Sequence, residues 1–270
     1  MKFQKLQSLL CILLAGALIA LLVFGVFKER KSNETLKGRI EEYKKTQASS
    51  AAEKPKDDEK DEATMPKDEE GYSFKDKSVL FLGDGISVEG IYQKKVAELL
   101  QLKDYTNGAE SGLFLRDMGN KATKETLKDI DMVILMGGNN DYSRGTPLGA
   151  LGDKAEAGTF YGDVKRTIEN IKEAKAGIEI VFLTPLKHGH LDFQVSYPEA
   201  NINNNYLDDF VKAIKDVAVS NGAKVIDLFT LSGIDEKNAV AYTIDNINLN
   251  EAGNEKIAKV IAEELNKMFK

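Results

Sequence analysis

Apolar and polar positions divide the chain into three unlike stretches. Residues 9–27 are nineteen consecutive positions with no charged or strongly polar side chain. That is about the length a helix needs to cross the hydrocarbon core of a bilayer. Lys2 and Lys5 lie before it, and Lys28, Arg30 and Lys31 after it, so the charge bias does not set an orientation. A cleaved signal peptide is the competing reading. It fits less well, because the apolar run is long and no small-x-small site precedes Lys28. Residues 1–27 are therefore expected to be a single-pass anchor in the cell membrane, with the large C-terminal part on the extracytoplasmic side. Residues 28–72 hold almost no large apolar side chains, and 48–70 are mostly Ala, Ser, Lys, Asp and Glu with two prolines. Such a stretch cannot bury enough surface to offset its ordering entropy, so a charged flexible linker is expected.

Residues 73–270 alternate two periodicities. Short buried runs at 78–82 (SVLFL), 131–136 (DMVILM), 178–183 (IEIVFL) and 224–228 (KVIDL) read as strands, with a shorter one at 105–107. Between them, 88–100, 159–174, 204–221 and 250–269 carry helical patterns, and Gly222 supplies a stop. Strands separated by helices predict right-handed βαβ units, and hence a roughly five-stranded parallel sheet in a three-layer α/β/α sandwich. Ligand sites in such sheets lie beyond the carboxyl ends of the strands.

Composition adds exclusions. With 42% apolar and 30% charged residues a packed core is available. The net charge of -6 argues against a nucleic-acid binder, and 53–70 alone holds nine acidic and four basic residues. The single cysteine, Cys11, lies in the predicted anchor, which excludes an internal disulfide framework and a cysteine zinc site. There are only two histidines, His188 and His190.

Four strand ends carry unusual polar residues: Gly83-Asp84-Gly85-Ile86-Ser87, then Asn107-Gly108-Ala109-Glu110-Ser111-Gly112, then Gly137-Gly138-Asn139-Asn140-Asp141, and finally Asp245-Asn246-Ile247-Asn248-Leu249-Asn250 before the last helix. Each alone reads as a tight turn, an Asx loop or a helix cap, with Ser87 as a candidate cap. In this order, they resemble the SGNH (GDSL) hydrolases, a family of esterases and acylhydrolases with a flavodoxin-like sandwich. VLFLGDGIS stands where that family has Gly-Asp-Ser, Gly112 where it has its second-block glycine, Gly138-Asn139-Asn140-Asp141 where it has Gly-x-Asn-Asp, and Asp245 to Leu249 where it has Asp-x-x-His-Leu. NDYSRGTPLG, TFYGDV and VFLTP resemble one bacterial branch.

The resemblance implies a role for each position. The nucleophilic serine falls on Gly85, the catalytic histidine on Asn248 and the orienting aspartate on Asp245. The oxyanion donors fall on the Gly85 and Gly112 N–H groups and the Asn140 side chain. Glycine has nothing to attack with, and an amide has no basic nitrogen. Substitutes are few. Ser87 lies two residues along a helix from Gly85 and should point elsewhere. Ser143 follows the third block. His188 and His190 follow the fourth strand. Asp84, with a raised pKa, would suit activation of a water. The His-x-His spacing with Asp192 or Asp84 would suit a metal ion, but spacing fixes no third ligand, so no metal or cofactor is expected. The expected protein is a membrane-anchored, catalytically degenerate SGNH-like domain that binds a cell-envelope carbohydrate, an acylated ligand or a protein partner. The alternative is an active esterase or carbohydrate deacetylase that uses His188 or His190.

Overall fold

The computed structural model describes residues 72–192 and 194–270. The predicted anchor, and the predicted linker up to residue 71, lie outside the described residues. Among the described residues no helix is long and apolar enough to cross a membrane.

Five parallel strands form one sheet: β1 (Ser78–Gly83), β2 (Asp104–Asn107), β3 (Met132–Met136), β4 (Glu179–Leu183) and β5 (Lys224–Ile226), in the order β2-β1-β3-β4-β5. The helices are α1 (Ile91–Leu100), α2 (Leu115–Lys121), α3 (Asn139–Ser143), α4 (Phe160–Ala174), α5 (Leu207–Ser220), α6 (Leu228–Leu231), α7 (Ala239–Tyr242) and α8 (Glu251–Met268). Every residue of β1 and β3 is buried, which explains their uninterrupted apolar runs. Successive side chains point to opposite faces. Leu80, Leu82, Val133, Leu135, Ile180 and Phe182 pack with α2, α4 and α5. Val79, Phe81, Met132, Ile134, Val181 and Leu183 pack with α1 and α8. The three-layer sandwich follows directly from that alternation.

The register sets the site. Gly83 pairs with Met136, Met136 with Leu183, and Leu183 with Ile226. Four strands therefore end level along one edge. The strand order reverses between β1 and β3, so a crevice opens there, between the loops after those two strands.

Several boundaries differ from the sequence expectations. The helix expected from 88 begins at Ile91, because Gly90 takes a left-handed φ of 70° and a 3-10 turn, Gly85–Ser87, precedes it. The helix expected from 204 begins at Leu207. Asn204 has φ 56°, and the Asn201 side chain accepts from the N–H groups of Asn203 and Asn205, holding a turn. The strand expected through 228 stops at Ile226. Phe229 N–H donates to Thr184 Oγ1 at 2.9 Å and draws the chain into α6. The short helices α2, α3, α6 and α7 span too few residues to show a period.

Candidate active site

The loop after β1 builds the floor of the crevice. The Asp84 carboxylate accepts from Ile86 N–H at 3.2 Å and caps the 3-10 turn. Asp84 is buried, and burial pushes its carboxyl up to about 6. A side chain on Gly83 would collide with Ser87. Gly85 is different. Its φ is not left-handed, and a Cβ there would meet only Ser111 Oγ at 3.5 Å and Asn248 Oδ1 at 3.8 Å. Both are ordinary contact distances, so the backbone does not require glycine at this point.

The loop after β2 is tied to the first. Asn107 Nδ2 donates to the Ser87 and Val88 carbonyls, and its Oδ1 accepts from Ala109 N–H. Glu110 N–H donates to Gly83 O at 3.1 Å, which carries the strand pairing one step further. Ser111 then faces Gly85. Gly112 follows with φ 79°, a conformation costly for any side chain. Among the described residues neither Gly85 N–H nor Gly112 N–H donates to a protein acceptor.

The loop after β3 supplies the wall. Asn140 Nδ2 donates one hydrogen to Leu113 O at 3.0 Å, which leaves its second for a ligand. The Asp141 carboxylate accepts from Leu115 N–H at 3.0 Å and so fixes the start of α2. Burial pushes this carboxyl up to about 7. Ser143 Oγ donates back to Asn140 O and serves the helix.

The loop before α8 closes the site. The Asp245 carboxylate accepts from Ile247 N–H (3.2 Å), Asn248 N–H (2.7 Å) and Asn248 Nδ2 (2.7 Å). That last bond fixes the amide orientation: nitrogen toward Asp245, Oδ1 toward Gly85. Asn250 caps α8 by accepting from Gly253 N–H. Gly85, Gly112, Asn140, Asp245 and Asn248 thus converge from four loops far apart in sequence.

The candidate substitutes are placed otherwise. Ser87 is fully buried, with its hydroxyl 2.9 Å from Tyr92 Oη. His188 is 2% exposed. Its Nδ1 lies 3.0 Å from Gly189 O, and its Nε2 has no partner. Burial holds this imidazole below its ordinary pKa, so it is neutral at pH 7. His190 is exposed, with Nδ1 3.2 Å from Ser196 Oγ and Nε2 3.7 Å from Asp192 Oδ1. Ser196 is itself buried, and its hydroxyl accepts from Leu191 N–H at 2.8 Å. Among the described residues no three metal-binding side chains converge.

Sequence reasoning passed over two side chains. Ser111 stands beside Gly112, and only folding shows it facing Gly85. Arg144 is four residues after Asn140, a helical spacing that was the available signal. Its Nη1 donates to Gly112 O at 3.2 Å, and its guanidinium lies 5.1 Å from the Phe114 ring centroid.

The profile of the GDSL-like Lipase/Acylhydrolase family matches residues 81–256. No curated protein matches the sequence. A solved structure from Lactobacillus plantarum is 24% identical with a TM-score of 0.65, covering 74% of this chain and 100% of its own. A possible lipase from Chitinophaga pinensis is 18% identical, TM-score 0.57, covering 72% and 99%. The lipase/acylhydrolase from Enterococcus faecalis is 16% identical, TM-score 0.50, covering 72% and 97%. At these identities the likeness is one of fold.

Proposed function

Given that this chain belongs to the GDSL-like lipase/acylhydrolase family, we propose that it is a non-hydrolysing member whose cleft binds an acyl- or hydroxyl-bearing ligand. The carrying observation is the bond from Asn248 Nδ2 to Asp245 Oδ2 at 2.7 Å, with Asn248 Oδ1 turned to Gly85. A triad histidine donates to its aspartate from one nitrogen and accepts from the nucleophile at the other. Asn248 keeps that donor–acceptor pattern without basicity, and Gly85 removes the attacking oxygen. What is left is a set of donors beside Gly85, able to hold a carbonyl or hydroxyl group in place.

The ligand is a cell-envelope carbohydrate or another acylated molecule, and the protein is held at the membrane by its N-terminal apolar segment, with the domain outside the cytoplasm. Support for the location is the uncharged run at 9–27. The test is turnover of p-nitrophenyl acetate by the full-length chain and by Asn140→Ala. No turnover that depends on Asn140 is expected. Strong turnover abolished by Asn140→Ala would overturn the reading.

One observation favours a second reading, an esterase in which water is the nucleophile. The buried Asp84 carboxyl, raised to about 6, adjoins Gly85 and would serve as base. In that case activity rises through pH 6 and vanishes in Asp84→Asn.

A further inference from the structure

Two guanidinium groups approach the Phe114 ring, Arg116 at 4.6 Å and Arg144 at 5.1 Å. Their electrostatic situations differ. Arg116 lies 3.9 Å from both Asp117 and Asp163. Arg144 has no carboxylate partner among the described residues, although its head is fixed by Gly112 O and the Phe114 face. A side chain on Gly112 would meet Arg144 Nη2 at 3.3 Å. The glycine that contributes an N–H to the cradle is thus also the one that carries the unpaired cation. An uncompensated guanidinium beside free N–H donors is the pattern that recognises a planar anion.

The other rim of the cleft limits which anion fits. Asn248 Oδ1 faces the Gly85 position as a fixed acceptor. It repels a bare oxyanion and needs a hydroxyl donor opposite it. Ser111 Oγ, 3.5 Å from the same point, donates or accepts as required. The geometry points to a hydroxy-carboxylate as the ligand of this cleft, a sugar acid in particular. One carboxylate oxygen would take the Gly85, Gly112 and Asn140 donors, Arg144 would balance the charge, and a ligand hydroxyl would donate to Asn248 Oδ1. This rests on the binding reading above and names its ligand class. It involves no bond-making step.

The test titrates the full-length chain with glucuronate, its methyl ester, acetate and inorganic phosphate, following the amide resonances of Gly85 and Gly112 by NMR. Glucuronate should shift both. Arg144→Gln should weaken it about tenfold or more, as expected for loss of a charge-assisted contact, and weaken the methyl ester by a clearly smaller factor. Asn248→Ala should weaken glucuronate more than acetate. Equal binding of acid and ester, an unaffected Arg144→Gln variant, or preference for phosphate would overturn the carboxylate assignment while the cleft-binding reading stands. If none of the four compounds moves the cleft amides, but an O-acetylated glycan does, the carboxylate assignment alone falls. If the acetylated glycan is silent too, both fall.

Discussion

The crevice between the β1 and β3 loops and the loop after β4 make opposite use of similar chemistry. On the reading proposed above, the crevice has the scaffold of a hydrolytic site without its reactive groups, with Gly85 and Asn248 in the places of a hydroxyl and an imidazole. The loop after β4 has the reactive residue types without the scaffold. There Ser196 Oγ lies 3.2 Å from His190 Nδ1, and His190 Nε2 lies 3.7 Å from Asp192 Oδ1. Yet Ser196 is buried and bonded to the Leu191 backbone, while His190 is out in solvent. Residue types alone do not make a nucleophile. An accessible oxygen, a base in reach and donors aimed at the developing charge must meet at one point.

Returning a hydroxyl and an imidazole to the crevice should have the largest effect. Gly85→Ser with Asn248→His should raise p-nitrophenyl acetate turnover by at least about 10²-fold over the native chain, because losing such groups costs about 10⁴–10⁶ in serine hydrolases. Each single change should stay near background, since the groups act as a unit. A silent double variant would show that the cradle no longer has catalytic geometry.

A smaller effect separates the two glycines at the β1 end. Gly83→Ala places a methyl group against Ser87 and should cost on the order of 1–3 kcal/mol in urea unfolding. Gly85→Ala should be close to neutral, because its Cβ has room. Equal costs would mean that Gly85 is needed by the fold.

The buried carboxyls of the crevice loops give it a pH signature. Asp84 and Asp141 have folded pKa values of about 6 and about 7, above their ordinary value of 3.8. The folded state therefore binds more protons than the unfolded state between these limits. Their contribution is complete below pH 4 and is lost as the pH rises through 6 and 7. Asp84→Asn should flatten the fall in stability between pH 4 and 7 in denaturant titrations at fixed ionic strength.

The smallest expected effect is in the loop after β4. Ser196→Ala should cost about 0.5–1.5 kcal/mol, the worth of a typical internal hydrogen bond. It should change neither ester turnover nor cleft binding. Loss of an activity in Ser196→Ala or His190→Ala would instead make this loop the reactive one.

Much of the fold was legible along the chain. The runs in β1, β3 and β4 are apolar because both sheet faces are covered, and their loops carry the site because parallel strands all end on one edge. The site positions Gly85, Gly112, Asn140, Asp245 and Asn248 were legible as motifs. Ser111 and Arg144 were not, because each gains its meaning from a loop distant in sequence. His188 illustrates the converse: sequence placed it near the site, and packing sealed it in the interior. Ser87 was expected to point away from Gly85, and it does, with its hydroxyl against Tyr92 Oη.

The chain alone carries the layered architecture, the order of the site loops, and a glycine and an asparagine at positions 85 and 248. Those follow from periodicity and residue identity, which are local properties. Folding sets which way the Asn248 amide points, that Gly85 has room for a side chain, and that Arg144 is held at the cradle without a carboxylate partner among the described residues. Each of these depends on the relative placement of separate loops, and that is set by strand register and packing between them rather than by any one segment.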